Sequence, residues 1–292
     1  MDLGRVGVWA WPFVTLPAAE VRRAARAIEG MGYGALWFPE STGREAFATA
    51  SMLLDATDRI VVATGIANMW ARDPVAMANG ARSIGEAHPE RFLLGIGVSH
   101  APSVANRGGN YRRPIEAMRN YLDAMGQAPY TGPNPDPAVP VILAALGPRM
   151  LRLAAEVTAG AHPYFVPVEH TRRARAELGP DPLLAPEQAV ILEDDPPRAR
   201  SIARGHAARY LALDNYANNL RRLDWADKDL ADGGSDDLID AVFAWGDLRA
   251  IADRVTEHTK AGADHVSIQV LTDGAGFPLD ELERLSSYLT AD

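Results

Sequence analysis

Eight short apolar runs, each followed by a segment of helical periodicity, limit this 292-residue chain to very few architectures. The runs fall at 5–10, 35–39, 60–67, 92–98, 139–144, 160–164, 189–193 and 265–271. Such runs, apolar without strict alternation, suit parallel strands buried on both faces. Between them lie helical patterns at 18–31, 45–57, 74–86, 114–125, 149–157, 169–178, 198–213 and 248–261, and a last one at 278–289 closes the chain. A helix between successive strands is the crossover that parallel pairing demands, and eight such units make a (β/α)8 TIM barrel with loop and helix insertions. An open doubly wound sheet is the rival. It wants a glycine-rich turn after the first strand, and Val8-Trp9-Ala10-Trp11-Pro12-Phe13 holds no GxGxxG.

The punctuation agrees with that reading. Pro17 and Pro74 stand at helix starts, where a missing N–H costs nothing. Gly32, Gly126 and Gly262 stand at helix ends, where left-handed caps are expected. Residues 127–140 are proline-rich and read as a loop, and 214–247 read as a polar loop followed by a short helix near 236–245. The expectation is a single domain over 1–292 with an insertion at about 214–247.

Composition excludes whole classes of chemistry. With no cysteine there is no disulfide, no thiolate nucleophile and no Cys-ligated cluster. Only Lys228 and Lys260 are lysines, and neither ends a strand, which argues against a Schiff-base aldolase. A net charge of −9 argues against nucleic acid as a partner. No apolar run approaches the ~18 residues that span a bilayer, and no export signal opens the chain, so a cytoplasmic protein without membrane contact is expected. The seven histidines form neither an HxH pair after the first strand nor an HExxH on a helix, so no metal is expected. His88, His170, His206 and His258 fall in or just after helical segments and read as surface residues, while His265 opens the last strand.

In a barrel, chemistry sits at the C-terminal ends of the strands. Those ends carry Trp9 and Trp11, then Glu40 and Ser41, then Gly65 through Arg72, then Ser99-His100, Ala145 through Pro148, His162 through Phe165, Glu193 with Asp194 and Asp195, and lastly Thr272 with Asp273. The set is aromatic and glycine-containing with few ionisable groups, which suits a planar organic cofactor better than a metal. Within it, Ile60-Val61-Val62-Ala63 stops on Thr64-Gly65, and a glycine inside a strand marks a bulge or a close ligand. The segment Ala145-Leu146-Gly147-Pro148 offers a helix N-terminus to an anion, or it is a plain strand-to-helix turn. Ser99 either contacts a ligand or caps its own loop.

Five segments together carry a resemblance. LWFPES, TGIANMWARDP, RFLLGIGVSH, ALGPRMLRLAAEVTAGAHPYF and AGADHVSIQVL resemble the bacterial luciferase-like superfamily, and within it the coenzyme F420-dependent oxidoreductases common in actinobacteria. The similarity runs from about residue 5 to residue 289, and GIxNxxxRxP is its most specific part. It implies a barrel with a tricyclic deazaflavin over the end of the third strand, backed by a non-prolyl cis peptide at Gly65-Ile66. It places the cofactor phosphate on Ala145, Leu146 and Gly147, with Ser41, Asn68 and Ser99 beside ring and substrate. Relatives that oxidise alcohols carry an acidic residue with histidine after the second strand, where this chain has Glu40-Ser41. Their acid/base assignment therefore does not transfer. His100 becomes the first candidate for proton transfer, because imidazole titrates near neutrality, followed by Glu40 and His162. The expected function is hydride transfer between F420 and a small organic substrate, in a homodimer. The alternatives are an FMN-dependent monooxygenase of the same superfamily and a non-catalytic barrel that binds a flavin or deazaflavin.

Overall fold

A strand that is apolar on both faces needs cover on both, and this chain supplies it by curling its sheet around an interior of its own side chains. In the computed structural model, which describes residues 1–274 and 276–290, the apolar runs pair in parallel. β1 (Val6–Trp9), β2 (Ala35–Phe38) and β3 (Val61–Thr64) are buried throughout. α1 (Ala18–Gly30) and α2 (Ala46–Leu54) connect them. Then come β4 (Ala67–Asn68), α3 (Pro74–Ala87), β5 (Phe92–Gly97), α4 (Ala101–Ala105), α5 (Pro114–Gly126), β6 (Val141–Leu143) and α6 (Pro148–Val157). The second half begins with β7 (Gly160–Ala161), α7 (Val168–Leu178), β8 (Leu183–Leu184), β9 (Glu187–Ile191) and α8 (Pro196–Leu211). α9 (Asp214–Arg222), α10 (Asp227–Leu230), α11 (Asp236–Val242) and β10 (Ala244–Trp245) precede α12 (Leu248–Lys260), β11 (Val266–Val270) and α13 (Leu279–Leu289).

The sheet order is β10-β9-β11-β1-β2-β3-β5-β6-β7-β8, with β4 also on β5. Two pairs of these strands are single strands interrupted once. β3 and β4 are split at Gly65-Ile66, and β8 and β9 at Ala185-Pro186. The second interruption closes the ring. On one side Leu183 and Ala185 donate to Ala159 and Ala161, and on the other Asp264 and Ser267 donate to Leu184 and Pro186. Counting each interrupted strand once and setting aside the short β10 leaves the eight positions of the barrel.

Alternation along the strands sorts the apolar residues into two cores. Ala35, Trp37, Val61, Ala63, Leu93 and Ile142 point inward and pack with Trp9 inside the barrel. Leu36, Phe38, Val62, Phe92 and Leu94 point outward under the helices. The helices meet them with faces such as Val21, Ala24, Ala25 and Ile28 of α1, the i, i+3, i+4, i+7 stripe of an amphipathic helix. Each Leu- or Val-sized side chain so buried contributes about 1.5–3 kcal/mol of transfer free energy.

Three expectations need correction. The polar loop expected from 214 begins as the helix α9, which buries Tyr216, Ala217 and Leu220. Gly32 and Gly262 do take positive φ, at 86° and 106°, but Gly126 is the last residue of α5 and does not. The seventh strand runs at Glu187–Ile191, two residues before the expected 189–193, because Pro186 breaks it from β8. α11 and α8 are tied by ion pairs, with Arg200 on Asp240 at 2.5 Å and Arg204 on Asp236. No helix among the described residues is long and apolar enough to cross a membrane.

Candidate active site

The break in the third strand is built by three neighbouring residues. Thr64 Oγ1 donates to Gly95 O at 2.8 Å and accepts from Gly95 N–H at 2.9 Å, standing in for the ladder where pairing stops. The Gly65-Ile66 peptide is cis, as the resemblance implies. The chain then pairs again as β4, with Ala67 against Ile96 and Asn68 against Gly97. No side chain fits at position 65, since a Cβ there would stand 2.6 Å from Trp9 Nε1 and 3.0 Å from His162 Nε2. Gly97 is needed for the same reason, because a Cβ would meet Ile66 Cδ1 at 2.6 Å. Gly65 is buried and Ile66 half-buried at the C-terminal mouth of the barrel.

Glu40 holds this bulge in place. Its carboxylate takes both terminal nitrogens of Arg72, accepts from Asn68 N–H at 2.8 Å, and lies 3.4 Å from Ala46 N. Arg72 also reaches Glu45 at 2.5 Å and lies over the Phe47 ring at 4.9 Å. A carboxylate with its lone pairs so engaged is an anchor, and the expectation that Glu40 carries a proton finds no support in this geometry. Asn68 uses Oδ1 on Trp70 N–H at 3.0 Å, and Trp70 Nε1–H donates to Val98 O at 3.0 Å, binding the bulge to the turn after β5. Ser41 lies at the rim, its carbonyl accepting from Arg107 at 3.0 Å.

The turn after β5 presents Ser99 and His100. Ser99 has a φ of 57°, unusual for a side-chain-bearing residue, and so sets the direction in which His100 leaves the strand. His100 is half-buried, lies tilted against Tyr216 with ring centres 5.5 Å apart, and has Nδ1 3.1 Å from Asn215 Oδ1. Since the amide oxygen only accepts, Nδ1 carries the hydrogen and Nε2 keeps its lone pair. Burial holds the ring below the usual imidazole pKa, against the opposing pull of Asn215, so it is neutral near pH 7.

His162 is in a different environment. It is buried inside the barrel, stacked on Trp37 at 4.4 Å with planes 13° apart, and Nδ1–H donates to Ala185 O at 2.6 Å. Burial pushes its pKa down to about 4. It lies beneath the bulge, with Nε2 and the neighbouring Trp9 Nε1 both unpartnered beside Gly65. Proton exchange with a substrate at the mouth does not fit that burial. His265 is also interior, accepting from Trp37 Nε1–H at 3.0 Å. His170 and His258, expected on the surface, are buried as well, and burial brings His206 down to about 4. Among the described residues no three His, Cys, Asp or Glu side chains gather into a group that could hold a metal ion.

Two strands further round, the loop Ala145-Leu146-Gly147 leads into α6. His170 Nε2–H donates to Leu146 O at 2.8 Å and fixes the loop. Gly147 caps the helix without any side-chain help, and Pro148 follows it. Among the described residues no acceptor takes the N–H groups of Ala145, Leu146 or Gly147. Uncapped N–H groups at a helix N-terminus form a site for an anion.

Sequence reasoning missed the cluster that covers the rest of the mouth. Tyr164 OH donates to Gln269 Oε1 at 2.8 Å and meets Tyr210 OH at 2.9 Å and His206 Nε2 at 3.2 Å. Its ring lies 5.0 Å from Trp9 and 6.2 Å from Tyr216. Beneath it Glu187 is buried with Oε1 unpartnered, and burial raises its carboxyl to about 8. Only Tyr164 and Trp9 of this group lay among the strand-end residues, because the others come from α8, α9 and the strands β9 and β11.

A cavity of about 370 Å³ lies elsewhere, lined by Leu3, Phe92, Val139, Pro140 and Leu183 among others, at the N-terminal ends of the strands. That face of a barrel serves stability, so the cavity is set apart from the site at the mouth.

Comparison with known proteins gives consistent results. A family model described as luciferase-like monooxygenase matches residues 5–265. A 5,10-methylenetetrahydromethanopterin reductase of Methanolobus tindarius is 25% identical over 64% of this chain and 66% of its own. A Mycobacterium tuberculosis protein, provisionally described as a coenzyme F420-dependent oxidoreductase, is 26% identical over 56% of each chain. The matched region thus spans less than two thirds of the length of these relatives. An F420-dependent secondary alcohol dehydrogenase, solved with an F420-acetone adduct, superposes with a TM-score of 0.79 over 99% of both chains at 14% identity, a likeness of fold.

Proposed function

The chain belongs to the luciferase-like monooxygenase family, and from that premise we propose an F420-dependent oxidoreductase that moves a hydride between the deazaflavin and a small organic substrate. One observation carries the reading: a strand break free of side chains at Gly65 shares the barrel mouth with an uncapped, donor-rich helix start at Gly147. The first suits a flat ring and the second the phosphate of its side chain. The relatives described by F420 chemistry favour the deazaflavin over a flavin.

The residues present fit such a group. Ala145, Leu146 and Gly147 would hold the phosphate through their free N–H groups, and Ile66 would lie against the ring. Asn68, anchored by Glu40 and Arg72, and the Ser99 turn would flank it. Bound there, the deazaflavin would supply or accept the hydride. This chain's own part is positioning, exclusion of water and the handling of one proton. His100 is suited to the proton, because Asn215 fixes Nδ1–H and leaves Nε2 as an accessible base. A neutral imidazole takes the proton of a hydroxyl as its carbon loses hydride. The aromatic side chains of Trp9, Trp70, Tyr164 and Tyr216 shield the site from water.

A second reading, an FMN-dependent monooxygenase, has support in the description of the matched family, and the same loop would take the FMN phosphate. Fluorescence titration of the protein with F420 and with FMN separates the two. Micromolar binding of F420, followed by reduction or reoxidation in the presence of candidate alcohols and carbonyl compounds, is the expected result. FMN binding without F420 binding overturns it in favour of the monooxygenase. Tight F420 binding without turnover of any substrate leaves a non-catalytic carrier.

A further inference from the structure

Of the arginines on α8, all but one are neutralised. Arg198 pairs with Glu193 and Asp273, Arg200 with Asp236 and Asp240, and Arg204 with Asp236. Arg209 is exposed, and among the described residues no carboxylate lies within ion-pair distance of it. Its guanidinium lies instead over Trp11, just past the end of β1, 5.7 Å from the ring centre. Burial and, second to it, the Arg209 charge bring the neighbouring His206 down to about 4. Glu187, the carboxyl beneath Tyr164, gives no counter-charge near pH 7, because burial lifts it to about 8. The indole attracts the cation through its π face and spends none of the guanidinium N–H donors. A planar fork of free donors is what takes a carboxylate by two parallel hydrogen bonds.

An aromatic wall joins this cation to the candidate base. His100 leans on Tyr216 with ring centres 5.5 Å apart, and Tyr216 meets Tyr164 at 6.2 Å. Tyr164 meets Trp9 at 5.0 Å, and Trp9 meets Trp11 at 6.1 Å. Tyr164 spends its hydroxyl hydrogen on Gln269 and presents its ring. The order along the mouth is therefore base, ring surface, cation. Trp11 follows β1 and the Gly147 loop follows β6, four places away in the sheet order once β3 and β4 count as one strand. In a ring of eight these positions are opposite, so the phosphate assigned to that loop does not occupy Arg209.

We propose, on the reading of the mouth as a hydride-transfer site, that the substrate is an apolar hydroxy or oxo acid whose carboxylate pairs with Arg209. Its body lies along the aromatic wall, and its reacting carbon lies at the His100 end. In the oxidative direction that carbon gives its hydride to the deazaflavin, the hydroxyl gives its proton to His100 Nε2, and a carbonyl is left. The carboxylate takes no part in the chemistry. Arg209 selects the molecule and sets how far its reacting carbon reaches.

The test uses ω-hydroxy acids of graded chain length beside their methyl esters. In the F420-loaded protein the best acid has a kcat/KM at least tenfold that of its ester. Arg209→Gln, at an exposed position, removes that preference and leaves the F420 affinity unchanged. Arg209→Lys, which keeps the charge without the fork, retains part of it. A preference absent from the native protein in turnover and binding alike, or one that survives Arg209→Gln, overturns the proposal. So does a loss of F420 affinity in Arg209→Gln, which would give the guanidinium to the cofactor. Calorimetric binding of the same pairs to the cofactor-free protein separates this failure from failure of the hydride-transfer reading. If no alcohol is oxidised, yet the acid binds the native protein more tightly than its ester and Arg209→Gln abolishes the difference, the carboxylate site stands and the redox assignment falls.

Discussion

Gly65 has Trp9 on one side and His162 on the other, both so near that a single methyl group would strike them. Gly65→Ala must therefore push apart the top layer of the barrel interior, where Trp9 is 3% exposed and His162 2%. Overpacking of this kind costs about 1–3 kcal/mol. The expected result is a lower denaturant midpoint together with weakened ring binding, and an alanine variant with native stability and native affinity would show that the close approach is not needed. His100 offers a second test of a single residue. Asn215→Asp puts a carboxylate beside Nδ1–H, which favours the imidazolium and raises the His100 pKa. Tyr216 is uncharged in its contact with the ring and adds nothing to that shift. An NMR titration of the His100 ring in the cofactor-free protein reads it directly. A pKa no higher than the native value would mean that Asn215 does not address the ring. These two residues also differ in how legible they were. Gly65 stood out in sequence because glycine is out of place in a buried strand, whereas Asn215 is an unremarkable polar residue until the fold carries it to a histidine 115 positions away.

The bulge is held as an element by the Glu40–Arg72 pair, whose side chains are only 4% and 10% exposed. Arg72→Met leaves Glu40 as a buried charge without its partner, which costs about 3–5 kcal/mol. Adding Glu40→Gln removes that charge, so the double variant should be more stable than Arg72→Met alone. Urea midpoints of the native protein, both single variants and the double variant form the cycle. Strict additivity would show that the two side chains do not act together. The sequence carried the barrel strands and their helices plainly, because continuous apolar runs and amphipathic stripes are local signals of burial. It concealed α9 because Asp-Asn-Tyr-Ala-Asn-Asn-Leu-Arg-Arg places only three buried apolar residues in nine, too few for a period to show. It concealed the pairing of Glu40 with Arg72 because the partners lie in the loops after two different strands, 32 positions apart, and meet only in the fold. His170 and His258 misled for a related reason. Helical position alone suggests exposure, but Leu146 O receives one ring, and Thr171 with Gln188 satisfies the other.

At the scale of the whole molecule, the buried titratable groups set the pH range in which the barrel is stable. His162, His170 and His265 are each pushed down by burial to about 4, and His258 to about 3, all from an ordinary 6.5. The unfolded chain takes up protons at these four sites as pH falls through 6.5, while the native chain does not until pH 4 or below. Stability is therefore full above 6.5 and declines as pH falls through the interval down to 4. At pH 5.5 each site costs about 1.4 kcal/mol, and four together cost about 6 kcal/mol, comparable to the whole stability of many domains. Glu187 acts at the other end of the range. Burial lifts its carboxyl from 4.5 to about 8, so the native state keeps a proton that the unfolded state has lost. Its contribution is fully present below 4.5 and is lost as pH rises through 8. The two effects oppose each other, and the stability maximum should fall near about pH 7. Urea unfolding at intervals from pH 5 to 9 should show a steep acid limb and a shallower alkaline decline. Glu187→Gln removes this buried carboxyl and should flatten the decline between about pH 7 and 8 while leaving the acid limb intact. A variant whose alkaline limb matches that of the native protein would mean that Glu187 is already ionised in the folded barrel, with a partner at the mouth that stabilises its charge.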